Sequence, residues 1–276
     1  MRFAICNELF QDWPWERALE LTLECGYLGW EIAPFTLGRR PDQLPSDRRE
    51  QIAQQLERAG VEMIGLHWLL AKTEGFHLTT NDAETRRKTG DYLGELATLC
   101  RDLGGSIMVL GSPQQRNFPE DSMTHAEADS NTLDVLEQLL PKLETNKVVL
   151  ALEPLGPAEG NYWNHARQAV EVIEKLDSPW IQLHLDIKAM STEDLPIADV
   201  VRGNAKHLAH FHANDPNLLG PGMGDVEIAP IFKSLKEIDY EGWVSVEVFD
   251  YSPGIETIAR QSMQNMRNAL LSSSQG

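Results

Sequence analysis

Four side chains of a type that can hold a cation and move protons, Glu153, Asp186, His212 and Glu247, stand at or beside the ends of four successive β-rich runs. Those runs are Lys147 to Glu153, Ile181 to Asp186, Lys206 to His212 and Trp243 to Val248. If the four side chains met at one point, three carboxylates would repel strongly in a low-dielectric setting, and a cation would remove that cost. Carboxylate oxygen with one imidazole suits Mn²⁺, Mg²⁺, Co²⁺ or Zn²⁺. A lone carboxylate at a strand end is commonly solvated or caps a following helix, so the chemistry depends on elements that bring all four together.

The rest of the chain supplies such elements. Further β-rich runs at Arg2 to Cys6, Gly29 to Ala33, Val61 to Trp68 and Ser106 to Leu110 bring the number of predicted strands to eight. Helical periodicity follows each: Trp15 to Cys25, Asp47 to Ala59, Ala83 to Leu103, His125 to Leu143, Asn164 to Leu176, Asp194 to Arg202, Glu227 to Ile238, and a last helix after Pro253. Eight β/α units in 276 residues predict an α/β fold, one (β/α)8 TIM barrel domain spanning residues 1–276. The first βα turn, Cys6 to Pro14, has no GxGxxG, which removes the signature of the open-sheet alternative. Pro216 to Gly224 reads as a shaped loop after the seventh strand.

Strand alternation gives the direction of each side chain. Ile181, Leu183 and Leu185 oppose Gln182, His184 and Asp186, and Val244, Val246 and Val248 oppose Trp243, Ser245 and Glu247. The apolar sets face the helices and the polar sets face the lumen. By the same parity Glu153 points inward with Val149 and Ala151, and His212 with Leu208 and His210. Barrel enzymes react at the C-terminal mouth of the strands, where all four ligand-type residues would converge. His184 and His210 lie one layer deeper and read as hydrogen-bonded core histidines.

Composition narrows the partners. A formal net charge of −18 repels phosphate backbones and anionic bilayers, so neither nucleic acid nor membrane is expected as a partner. No apolar run reaches the ~18 residues of a membrane span, and Arg2, Asn7 and Glu8 interrupt the first residues too early for a secretory leader; a cytoplasmic protein is the expectation. Three cysteines without a CxxC pair suggest buried thiols rather than a disulfide framework. Apolar loop residues Phe35, Leu37, Phe76 and Phe118 suggest a covered face and hence a homodimer or homotetramer.

Local motifs carry a family resemblance over nearly the whole chain. Glu153-Pro154-Leu155 with Glu159, His210-Phe211-His212-Ala213-Asn214-Asp215, Pro221-Gly222-Met223-Gly224, and Tyr240-Glu241-Gly242-Trp243 leading to Glu247 resemble the sugar isomerase and epimerase superfamily of xylose isomerase-like TIM barrels. Resemblance to its ketose 3-epimerase and hydroxypyruvate isomerase branches implies one divalent metal, Mn²⁺ first and Mg²⁺, Co²⁺ or Zn²⁺ as alternatives, on Glu153, Asp186, His212 and Glu247. It also implies that Glu153 and Glu247 exchange protons with a carbonyl sugar through a cis-enediolate, with Glu159 on the substrate side. Two positions depart from the tagatose-epimerase-like pattern: Ala189 and Leu218 stand where a histidine and an arginine contact substrate, with Lys188 beside the first. A substrate other than a free ketohexose is the expectation.

Dehydration of a keto-sugar, as in the inosose and dehydroshikimate dehydratase branches, begins with the same enolisation and stays open. A sugar-binding barrel without turnover is the other alternative, against which the intact glutamate pair argues. The superfamily's repair endonucleases need further histidines that Leu110-Gly111-Ser112 and Ala189 do not supply. Residues near the other strand ends complete the predicted substrate wall: Asn7, Glu8 and Glu31, His67 as a hydrogen-bond partner, Trp68 as an apolar face for sugar C–H groups, Gln114, and Arg116 as an anion anchor.

Overall fold

Buried on both faces, the short strands read as apolar runs, and closing them on one another leaves no free edge. The computed structural model describes residues 1–272. Its elements run β1 (Arg2–Cys6), α1 (Trp15–Cys25), β2 (Gly29–Ile32), α2 (Ser46–Ala59), β3 (Glu62–Leu66), α3 (Ala83–Leu103), β4 (Ile107–Leu110), α4 (His125–Asn146) and β5 (Val149–Leu152). The second half continues α5 (Ala166–Leu176), β6 (Ile181–Asp186), α6 (Ile187–Met190), α7 (Ile197–Gly203), β7 (Leu208–Ala213), α8 (Ile228–Glu237), β8 (Trp243–Val246) and α9 (Ile255–Ser272). All eight strands pair in parallel in sequence order, and β8 pairs with β1 to close the predicted barrel.

Local chemistry sets the element ends. Asp82 opens α3 by accepting from the Thr85 amide, and Thr124 with Glu127 forms a reciprocal capping box at α4. Gly104, at φ +99°, ends α3 in the left-handed conformation that a side chain would disfavour. One helix had no predicted counterpart: α6 starts directly on Asp186, whose Oδ1 accepts from the Ala189 amide at 2.8 Å. Four residues are too few to show helical periodicity, and the remainder of that unit, α7, is correspondingly shorter than the predicted Asp194 to Arg202.

The outward strand faces bury Ile181, Leu183, Leu185, Val244 and Val246 in one continuous apolar core shared with the helices. Inside the barrel the layers differ. Ala4, Ile64 and Trp243 form a separate apolar cluster, and Gly65 lets β3 approach β4 so closely that a Cβ there would lie 2.3 Å from the Ile107 carbonyl oxygen. Other lumen positions are polar: Glu31, His67, His184, His210, His212 and Ser245 are all at most 1% exposed. Most barrel lumens are filled by branched apolar residues, so this polar layer calls for a chemical explanation.

The cysteines are free and buried, as expected. Among the described residues no helix is long and apolar enough to cross a membrane. Of the apolar loop residues, Phe118 is a correction: it is 5% exposed and packs edge-on against His125 and Tyr162. The Phe76 ring stacks on Tyr92.

Candidate active site

Strand register brings the ligand-type residues together. Asp186 on β6 pairs with His212 on β7. Glu153, just past β5, extends the ladder by donating its amide to the Leu110 carbonyl at 3.2 Å, and Glu247, just past β8, donates to the Ala213 carbonyl at 3.3 Å. Ligand atoms of Glu153, His184, Asp186 and His212 lie within 4.8 Å of one another. Glu247 joins through His212, its Oε2 lying 3.2 Å from Nδ1. The four predicted residues are therefore neighbours, with His184 as an additional member.

Each is held by partners. Asn214 Nδ2 donates to Asp186 Oδ2, and Trp68 Nε1 donates to Glu247 Oε1 at 2.6 Å. Trp68 sits at φ 51°, a costly conformation for a bulky side chain that persists where surrounding contacts enforce it. Its ring stacks on Phe249 at 5.8 Å and touches Phe35. Behind Glu153, Gly111 leaves the space the carboxylate uses: a Cβ at that glycine would lie 2.1 Å from Glu153 Oε2. Gly111→Ala is expected to fold, because the carboxylate can swing aside, yet to lose about 10²-fold in kcat/KM through misplacement of Glu153. Steady-state kinetics beside a melting curve check this.

The electrostatics are those of a crowded, dry pocket. Burial, then Glu247 and Asp186, push the Glu153 carboxyl well above its usual range. Burial also raises Asp186, to about 6, against the opposing pull of Lys188. Glu247 stays below the ordinary range despite burial because His212 and then His67 favour its charge. Burial opposes a charge on His212, but Glu31 and Glu247 overcome it and raise the imidazole well above its usual value. Burial and the neighbouring His212 and His210 keep His184 neutral, and neither of its ring nitrogens has a hydrogen-bond partner among the described residues. One of them lies 3.8 Å from Glu153 Oε1. Excess carboxylate beside an unpartnered imidazole fits a divalent cation bound by oxygen and nitrogen.

Above this floor opens a cavity of about 410 Å³, walled by Trp68, Gln114, Glu153, Glu159, Glu247 and Phe249 among others. At its edge Lys188 Nζ pairs with Glu159 Oε1 at 2.7 Å and lies 4.5 Å over the Phe249 ring. A wider groove of about 720 Å³ runs past Arg49, Glu57 and Asp102 on the helical layer. It lacks the converging ligand cluster, so the smaller cavity is the chemical one.

Five predicted wall residues, Asn7, Glu8, Glu31, His67 and Arg116, are buried and do not line this cavity. Arg116 is 1% exposed, because Ser112 at φ 37° and the short Pro113–Gln115 turn fold the loop back. Its Nη1 donates to the Glu153 carbonyl at 2.6 Å, leaving it a buried cation behind Glu153 instead of an anion anchor. Asn7 is used internally, accepting from the Ala33 amide at 2.8 Å and donating to Thr36 Oγ1 at 2.9 Å. His67 lies beneath the mouth, fully buried, with Nε2 2.8 Å from Glu8 Oε2. Sequence reasoning missed Phe249 and Asn214; Asn214 lies two residues past His212, on the face that alternation assigns to the lumen.

The sequence pattern of the xylose isomerase-like TIM barrels matches residues 19–269, and the chain belongs to that family. Among characterised proteins it is 26% identical over 225 residues to a D-psicose 3-epimerase of Enterocloster bolteae, covering 80% of this chain and 73% of that one. A fructoselysine 3-epimerase of Escherichia coli O157:H7 is 23% identical and covers 94% of this chain and 95% of its own. Among solved structures, a D-psicose 3-epimerase from Clostridium cellulolyticum H10 superposes with TM-score 0.86 at 17% identity, covering 98% and 99% of the two chains.

Proposed function

We propose that this enzyme is a divalent-metal-dependent isomerase or epimerase acting on a carbonyl sugar or sugar derivative through a cis-enediolate. One observation carries the reading: Glu153 and Glu247 both line the mouth cavity, entering from β5 and β8 on either side of Asp186 and His212. Two carboxylates so placed serve as base and acid for a carbon between a carbonyl and a hydroxyl. One takes the proton on carbon; the other, or the same group after exchange, returns it. Return to the opposite face of the same carbon epimerises, and return to the neighbouring carbon isomerises.

A divalent cation on Glu153, Asp186, His212 and Glu247, Mn²⁺ in the first instance, would supply Lewis acidity at the carbonyl oxygen and adjacent hydroxyl. The chain's own residues do the rest. Trp68 keeps Glu247 aimed through the 2.6 Å hydrogen bond and offers its ring to sugar C–H groups. Asn214 and the Ala189 amide hold both Asp186 oxygens. Lys188 and Glu159 offer a donor and an acceptor to substrate hydroxyls, and the aromatic wall excludes water from the developing charge. The named activities of the relatives, which include ketose and fructoselysine epimerases, support a substrate that is a ketose or a substituted one.

The test is turnover of a panel of ketoses, keto-glycosides and sugar acids in D₂O with Mn²⁺, Mg²⁺, Co²⁺ or Zn²⁺. Expected is an isomeric product of unchanged formula carrying deuterium at the reacting carbon. A product short of one water would move the assignment to a dehydratase, and no turnover of any substrate would overturn it. Assembly as a homodimer or homotetramer is part of the proposal; a monomer by sedimentation at micromolar concentration would contradict that part.

A further inference from the structure

We propose that Glu31 is a positioning residue: by accepting the Nε2 protons of His210 and His212, it fixes His212 with Nδ1 turned to the mouth carboxylates. The inference rests on the metal-site reading above and adds to it a residue two strands distant from any of the four ligand candidates.

Glu31 is 0% exposed and stands on β2, where the pairing with β3 shifts register between Trp30 and Glu31. Its Oε2 lies 2.7 Å from His210 Nε2 and its Oε1 3.1 Å from His212 Nε2. A carboxylate that meets one nitrogen on each oxygen has no proton to give, so both nitrogens must carry one. A second register shift, between Leu183 and His184 on β6, leaves Ala209 unpaired and sets His184 opposite His210 and Asp186 opposite His212. Bulges recur beside active sites because they re-aim side chains, and here they serve the two faces of one imidazole ring.

The consequence concerns the other nitrogen. With Nε2–H committed to Glu31, His212 presents Nδ1 to Glu247 Oε2 at 3.2 Å, and a nitrogen of the same ring lies within 4.8 Å of ligand atoms of Glu153 and Asp186. Without a fixed acceptor below, the ring could place its only proton on Nδ1, toward Glu247, and close that position to a cation. An imidazole ligand whose second nitrogen donates to a carboxylate has its tautomer and orientation set by that partner, and loss of such partners weakens metal binding by about 10- to 100-fold. His67 is the parallel case nearby, its Nε2 engaged by Glu8.

Long-range ¹H–¹⁵N spectra of the histidine rings test the assignment in the metal-free protein and during Zn²⁺ titration, independently of any sugar. Expected are slowly exchanging Nε2 protons on both His210 and His212, with Zn²⁺ displacing only the Nδ1 side of His212. Glu31→Gln keeps the shape and one accepting oxygen but turns the other into a donor and removes the charge, so it cannot accept from both rings; it is expected to lose the slow Nε2 proton of one of them and about 10- to 100-fold in Zn²⁺ affinity. Glu31→Asp, which shortens the side chain but keeps the charge, is expected to lose less. A purely structural role would reverse that order, since the isosteric glutamine would pack better than aspartate. His212 without a proton on Nε2 in the wild-type spectrum, or parent Zn²⁺ affinity in a folded Glu31→Gln protein, would overturn the proposal. Wild-type protein that shows both Nε2 protons yet binds none of the divalent cations would overturn the metal reading and, with it, the purpose assigned to Glu31.

Discussion

Glu153→Gln and Glu247→Gln are each expected to lower kcat by about 10²- to 10⁴-fold at saturating metal, the usual range for loss of a general acid or base. Glutamine keeps the length and one neutral oxygen of glutamate, so the cavity wall is preserved while proton transfer is not. At position 247 the amide oxygen can still accept from Trp68 Nε1, whose bond to Oε1 is 2.6 Å; at position 153 the backbone carbonyl still accepts from Arg116. Fold and ring positions should therefore survive both changes. KM for sugar should move much less than kcat, because the lost interaction acts on the transition state. The double variant should be little worse than the poorer single one, since either residue alone leaves the proton exchange incomplete. Parent rates in both metal-saturated single variants would sink the enediolate mechanism. Impaired variants without solvent deuterium in the product would instead indicate a hydride shift or a fully shielded proton.

The site was legible in the sequence to the extent that strand parity governs it. Alternation along β6, with Ile181, Leu183 and Leu185 against His184 and Asp186, fixes which side chains enter the lumen, and proximity to the strand ends fixes which reach the mouth. What parity cannot give is register between strands. The unpaired Ala209 shifts β7 by one position against β6 and so sets His184 opposite His210, while the unshifted register between β5 and β6 brings it beside Glu153. A histidine assigned to a hydrogen-bonded core is left, among the described residues, with no hydrogen-bond partner on either nitrogen. Loops were the other gap. Arg116 follows the fourth strand as an anion anchor would, but the left-handed Ser112 reverses the backbone and sends the guanidinium under the barrel rim. Glu31, predicted as a wall residue from its place on the second strand, does its work lower down, because the shift after Trp30 sets it opposite Gly65, where no side chain competes for the space.

Loading the metal-free protein with Mn²⁺ at about 100 times its Kd is expected to raise Tm by about 5–10 °C at pH 8, since such excess adds about 2.7 kcal/mol and each kcal/mol moves a chain of this size by about 2–4 °C. At the same metal concentration the shift should shrink at pH 5, where proton competition weakens binding. Burial raises Asp186 to about 6 and holds Glu153 well above the usual carboxylate range, so at pH 5 both sites carry protons that a cation must displace. The sign for the metal-free fold follows from the same direction. A carboxyl whose folded value exceeds its unfolded value favours the fold most fully below the unfolded value, and loses that contribution as pH rises through the folded one. The metal-free protein should therefore lose stability from this pocket between about pH 4 and 6 and beyond, where repulsion among Glu153, Asp186 and Glu247 is fully developed. The cation neutralises that repulsion, and the gap between loaded and metal-free melting curves should widen steadily from pH 5 to pH 8. Differential scanning calorimetry with and without chelator, at constant ionic strength, measures it. An equal shift at both pH values would mean that the bound ion does not displace these protons, and a larger shift at pH 5 would place the cation outside the carboxylate cluster altogether.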